Sequence, residues 1–118
     1  RRAMQAQFPA TTITYHHADF TRILALPPLD GILMANSLHF VRHKAPVLAL
    51  LRGYLKQGGR LLIVEYNTDR GNTWVPYPFS FASWEEMAQR NGFVGTRLLS
   101  TRSGSFLDGM YSALSINP

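Results

Sequence analysis

Four histidines, seven acidic residues and no cysteine make up the acid–base and nucleophilic resources of this 118-residue chain. Without cysteine there is no disulfide, no thiolate metal site and no thiol nucleophile. The histidines are His16, His17, His39 and His43, and their spacing matches no metal-ligand set. His16 and His17 sit side by side in a β-rich stretch, so they point to opposite faces, and one of them is expected to be buried and hydrogen-bonded. His43 reads as a surface residue. His39 is different, because it follows the apolar run Gly31-Ile32-Leu33-Met34-Ala35 and a neutral imidazole is a suitable base near pH 7. Glu65 and Tyr66 close a second apolar run, Leu61-Leu62-Ile63-Val64, and Trp74, Tyr77 and Phe79 crowd the segment after it.

Punctuation by proline and glycine shows which elements must hold these residues. Arg1 to Phe8 reads as the tail of a helix stopped by Pro9. Thr11 to Ala18 is β-rich and reads as a strand ending at Asp19-Phe20. Gly31 to Ala35 and Arg60 to Tyr66 are continuous apolar strands of the kind buried on both faces in parallel sheets. Asn36 to His43 is a loop or short turn. Between the two strands, Val47, Leu48, Leu51, Tyr54 and Leu55 form one apolar helical stripe, opened by Pro46 and stopped by Gly58-Gly59. Asn67 to Phe81 is mostly loop. Ser83-Trp84-Glu85-Glu86 has the form of a capping box, and the helix it opens ends at Asn91-Gly92. Val94 to Thr101 and Met110 to Ile116 are close enough to pair as a hairpin. The order is that of an α/β sheet with an antiparallel final strand.

The length suits one domain, 1–118, with a modest core. No apolar run approaches a membrane span, and Arg1-Arg2 is followed by a mixed, polar stretch rather than a signal peptide. The cytoplasm is the expected location. A net charge of +5 permits an anionic partner, but the basic residues are scattered. A solvated basic face is therefore the expectation, and nucleic acid an unlikely partner.

Four pieces of the chain, in this order, resemble class I S-adenosylmethionine-dependent methyltransferases of the small-molecule type. They are "YHHADF", "LPPLDGILMANSLHFV", "LLRGYLKQGGRLLIVEY" and "WEEMAQRNGF" followed by two strands. The resemblance implies a Rossmann-like sheet of order 3-2-1-4-5-7-6, with ligands outside the carboxyl ends of the parallel strands. It implies that Asp19 accepts a hydrogen bond from the cofactor's adenine amino group and that Phe20 offers its backbone or ring to the base. Ala35, Asn36 and Ser37 would line the ribose-to-methionine side, and His39 would position the acceptor or take its proton. Glu65, Tyr66 and Trp74 would face the acceptor, a small molecule, and an aromatic wall there also suits a sulfonium or an amine. Blander roles stay open: a turn cap for Asp19, a polar loop for Asn36 and Ser37, an ion pair with arginine for Glu65, and core packing for the aromatic residues.

The family's glycine-rich turn and the acidic end of its second strand have no counterpart here, so the fold is expected to be truncated, lacking its first two strands. Three expectations follow. The chain binds S-adenosylmethionine weakly or not at all. The strand at Thr11 to Ala18 loses its neighbour, and the edge of the strand at Gly31 to Ala35 is open. The chain forms a homodimer or swapped assembly, or the first of these strands moves beside the second. The alternative to a methyltransferase piece is a degenerate, non-catalytic module that acts through protein–protein association. A nicotinamide-dependent oxidoreductase fits poorly, since its fingerprint is absent as well.

Overall fold

The computed structural model describes residues 6, 7 and 9–118. Of the helix expected at Arg1 to Phe8, Ala6 and Gln7 are helical, and the rest lies outside the described residues. The elements are β1 (Leu29–Ala35), a single 3-10 turn (Leu38–Phe40), α1 (Ala45–Tyr54), β2 (Leu55–Tyr66), α2 (Phe81–Arg90), β3 (Val94–Arg102) and β4 (Met110–Ile116).

The four strands make one mixed sheet of order β1-β2-β4-β3. Gly31 to Ala35 run parallel to Arg60 to Val64. β4 lies antiparallel between β2 and β3, so Ile63 opposes Ala113 and Glu65 opposes Tyr111. Cross-strand partners share a face. Leu61, Ile63 and Glu65 of β2 and Tyr111, Ala113 and Ser115 of β4 are therefore one buried face. Val47, Leu48 and Leu51 of α1 and Trp84 and Ala88 of α2 pack into the same core cluster. On the opposite face Leu62, Val64 and Tyr66 are half-buried, and Leu33 of β1 is 64% exposed. Burial on both faces, expected for both parallel strands, is thus not found for β1 among the described residues.

Thr11 to Ala18 is not a strand. β-branched and aromatic residues favour a strand only where a neighbouring ladder accepts their backbone, and β-propensity alone does not supply one. Nor does this segment move beside β1, which pairs with β2 alone among the described residues. His16 and His17 are both exposed, against the expectation that one is buried. The chain returns to the core at Phe20, and Leu24 N–H donates to the Tyr54 hydroxyl at 2.8 Å.

Two helix ends differ from the sequence pattern. α1 stops at Tyr54, before Gly58-Gly59, because the last residue but one of the chain intercepts its carboxyl end. Asn117 Nδ2 donates to the carbonyls of Leu55 and Lys56 at 3.1 and 3.2 Å. Gly58, at φ 78°, instead turns β2 into register, and its N–H donates to the Asn117 carbonyl at 2.7 Å. α2 begins at Phe81, capped by Ser80 rather than Ser83: Ser80 Oγ accepts from Ser83 N–H at 3.2 Å. Glu86 does not reach back but pairs with Arg90 one turn on. Gly92 closes α2 at φ 91°, where a side chain would run into the Arg52 guanidinium.

The loop after β2 selects Ser80 as the cap. Asp69 accepts from the Ser80 N–H and hydroxyl, each at 3.0 Å, and Asn67 Oδ1 accepts from Phe81 N–H at 3.0 Å. The Ser80 N–H first, then the Ser83 hydroxyl and the Ser80 hydroxyl, hold the Asp69 carboxyl below its usual range. A carboxyl depressed in the folded state stabilises above its unfolded pKa and loses that contribution as pH falls through the folded value. Ser80→Ala is expected to cost about 1 kcal/mol in urea denaturation at neutral pH. Asp69→Asn is expected to flatten the acid limb of the stability–pH curve measured the same way.

Candidate active site

β1 and β2 are parallel neighbours, so their carboxyl ends open side by side. β1 ends at Ala35, and Asn36 takes a left-handed backbone (φ 52°) while its N–H donates to the Val64 carbonyl at 2.9 Å. That turn leaves Ala35 and Asn36 exposed and Ser37 half-buried at the strand end. It also swings the 3-10 turn over the end of β2, where Glu65 is waiting.

Glu65 is fully buried, and both of its oxygens are used. Oε1 lies 2.7 Å from His39 Nδ1, and Oε2 accepts from Leu38 N–H at 3.1 Å. Its partner is thus His39 rather than an arginine. His39 is 2% exposed. In a neutral imidazole that donates Nδ1–H to Glu65 the lone pair falls on Nε2, which has no hydrogen-bond partner among the described residues. An imidazole held by a carboxylate in one tautomer, with its other nitrogen unengaged, is the arrangement of a general base. The carboxylate also stabilises the imidazolium that proton uptake creates.

Aromatic rings surround this pair. Phe40 lies 4.3 Å and Tyr66 5.9 Å from the His39 ring, and Phe106, from the β3–β4 connection, meets Tyr66 edge-on at 5.3 Å. Phe40 and Phe106 are both about half exposed (59% and 49%), so their free faces can wall a ligand. The loop aromatics divide. Trp74 is 74% exposed above a turn pinned by Asn72, Tyr77 is partly exposed, and Phe79 is core, stacked near Trp84.

Asp19 stands apart from this cluster. Its Oδ1 accepts from the Thr21 hydroxyl and N–H at 2.7 and 2.9 Å, and these bonds hold the carboxyl below its usual range. The carboxylate caps its own turn, and Phe20 beside it packs on the core. Lys44 and Tyr111 were not singled out in the sequence. Lys44 is buried beneath the loop after β2. Tyr111 donates to the Phe79 carbonyl at 2.8 Å, and burial, then the Glu65 charge, pushes its phenol up. No three His, Asp or Glu side chains among the described residues are grouped to hold a metal. No helix among them is long and apolar enough to cross a membrane.

No protein-family model matches the chain. A reducing polyketide synthase, grgA, from a Penicillium species is 29% identical over 93 residues, covering 63% of this chain and 4% of its own length. Among solved structures, the DszA carbon methyltransferase superposes with a TM-score of 0.76 at 17% identity, over 98% of this chain and 36% of that one. The CurJ carbon methyltransferase gives 0.74 at 19% identity, over 98% and 38%. A methyltransferase from Thermotoga maritima gives 0.68 at 16% identity, over 86% and 62%.

The fold is that of the class I S-adenosylmethionine-dependent methyltransferases. The order β1-β2-β4-β3 is the 4-5-7-6 half of the family sheet, and the chain spans 36–62% of those three structures. In this methyltransferase fold the His39–Glu65 pair lies at the carboxyl ends of two parallel strands, where α/β sheets bind ligands.

Proposed function

We propose that this chain is the acceptor-facing part of a methyltransferase that transfers a methyl group to a carbon beside a carbonyl, with His39 as the general base. The buried His39–Glu65 pair carries the reading. Oxygen and nitrogen acceptors carry a lone pair that can attack before their proton is shed, whereas a carbon acceptor has none and must first lose a proton. A carboxylate-oriented imidazole is built for that loss. The names of two structural neighbours, both carbon methyltransferases, and the polyketide synthase relative support the same acceptor class.

S-adenosylmethionine, when bound, supplies a methyl group already activated on a sulfonium. Ala35, Asn36 and Ser37 fit its amino-acid and ribose side, because the left-handed turn at Asn36 leaves the first two exposed and Ser37 half-buried at the strand end. Asp19 and Phe20 would serve the adenine, with Asp19 offering Oδ2, which Thr21 leaves open and Arg22 approaches at 3.6 Å. His39 Nε2 takes the proton from the acceptor carbon, and the C–H electron pair becomes an enolate. Glu65 keeps Nδ1–H pointed away from the acceptor and balances the imidazolium. Tyr66, Phe40 and Trp74 exclude water and align the acceptor for in-line attack.

The test is a β-ketoacyl thioester incubated with protein in D2O, with and without S-adenosylmethionine. Exchange of the α-proton without cofactor, abolished in His39→Ala, is the expected result. Exchange that is indifferent to His39 would overturn the reading.

A further inference from the structure

We infer that Lys44 is a positioning residue for the His39–Glu65 pair, its buried ammonium clasping the loop after β2 to the turn that carries His39. Its catalytic consequence rests on the function proposed above, but the clasp does not.

Lys44 stands at the N-terminal cap of α1, a place where a cation gains nothing from the helix dipole. It is nevertheless 9% exposed. Burying an ammonium is costly unless its protons are satisfied. Here Nζ donates to the Val41 carbonyl at 2.7 Å and to the Tyr77 carbonyl at 3.0 Å, and it sits 5.0 Å over the Phe79 ring. Tyr77 is held at its other end too, since its N–H donates to the His39 carbonyl at 2.9 Å. Val41 N–H donates to the Leu38 carbonyl at 3.0 Å. The result is a closed circuit from the His39 turn through Val41, the ammonium and Tyr77 back to His39.

The circuit joins segments 33 residues apart in sequence. Burial pulls the ammonium below its ordinary pKa, and the nearby Glu65 charge opposes this in part. A neutral side chain of similar length would fill the space without closing the circuit.

Three measurements on Lys44→Met and Lys44→Arg test the clasp: amide hydrogen exchange at Tyr77, the 15N resonances of the His39 ring, and kcat and KM for methyl transfer. In Lys44→Met, exchange at Tyr77 should rise about tenfold or more, as expected for losing hydrogen bonds to a charged donor. Amides of β2 and β4 should keep their protection. The His39 ring signals should move, and kcat should fall more than KM changes. Lys44→Arg, which keeps charge and donors, should recover most of the Tyr77 protection and the ring signals. Unchanged Tyr77 exchange and ring signals in Lys44→Met overturn the inference. Should that variant lose its fold, Lys44→Gln is read by the same signals and the same criterion. Absence of methyl transfer in the unsubstituted protein would defeat the proposed function alone, because the exchange and ring signals still decide the clasp.

Discussion

Exchange of the acceptor's α-proton should fall by about two orders of magnitude in Glu65→Gln and by two to four in His39→Ala, the range expected for losing a positioned general base. The two substitutions act on different parts of one device. His39→Ala removes the proton acceptor. It also leaves Glu65 buried with only the Leu38 N–H as partner, so a loss of stability accompanies it. Glu65→Gln preserves volume, and its amide oxygen can still accept from Leu38 N–H. What it loses is charge: nothing anionic then balances the imidazolium or fixes the tautomer with Nε2 free. Initial rates with labelled cofactor, read beside α-proton exchange, separate the cases. Glu65→Gln should slow both processes together, since both pass through the same proton removal. Rates within twofold of the unsubstituted protein in either variant would contradict the assignment of a base.

The second large effect is on stability. Trp84→Ala should cost about 3–5 kcal/mol in urea denaturation, the range for truncating a fully buried aromatic residue. Trp84 has no exposed surface, packs 5.8 Å from the Phe79 ring, and belongs to the same core cluster as Tyr111 and Ala113 of the sheet. Its indole Nε1 is buried without a hydrogen-bond partner among the described residues. An orphaned donor of this kind is itself unfavourable, by about 1–3 kcal/mol. Trp84→Phe removes that donor along with part of the ring, so the two effects oppose each other. Trp84→Phe should therefore cost far less than Trp84→Ala. A phenylalanine variant as unstable as the alanine variant would contradict this account.

Local pattern made several elements legible. The stripe Val47, Leu48, Leu51 lies buried on α1 as its spacing requires, and β4 begins and ends where its alternation does. The spacing of residues on a helix or strand is a short-range property, so a single chain displays it. Residues 11–18 show the limit of the same logic, because strand propensity without a ladder leaves extended chain. The capping serine shows another. Ser80 and Ser83 are both good caps, and the choice between them was made by Asp69 and Asn67, which the loop after β2 brings to Ser80 and Phe81.

Local pattern settles the α/β class and the placement of His39 and Glu65 at two strand ends. It leaves them as separate residues, Glu65 either facing an acceptor or paired with an arginine. That they touch is a product of the three-dimensional fold. Parallel pairing of β1 with β2 brings the two strand ends together, and the left-handed Asn36 turns the chain so that His39 falls on Glu65, 26 residues away. The same holds for Lys44, an unremarkable cation in the sequence and a buried clasp in the fold. Periodicity records which way a side chain faces along its own element. What that side chain meets depends on the neighbouring element, and no local pattern encodes it.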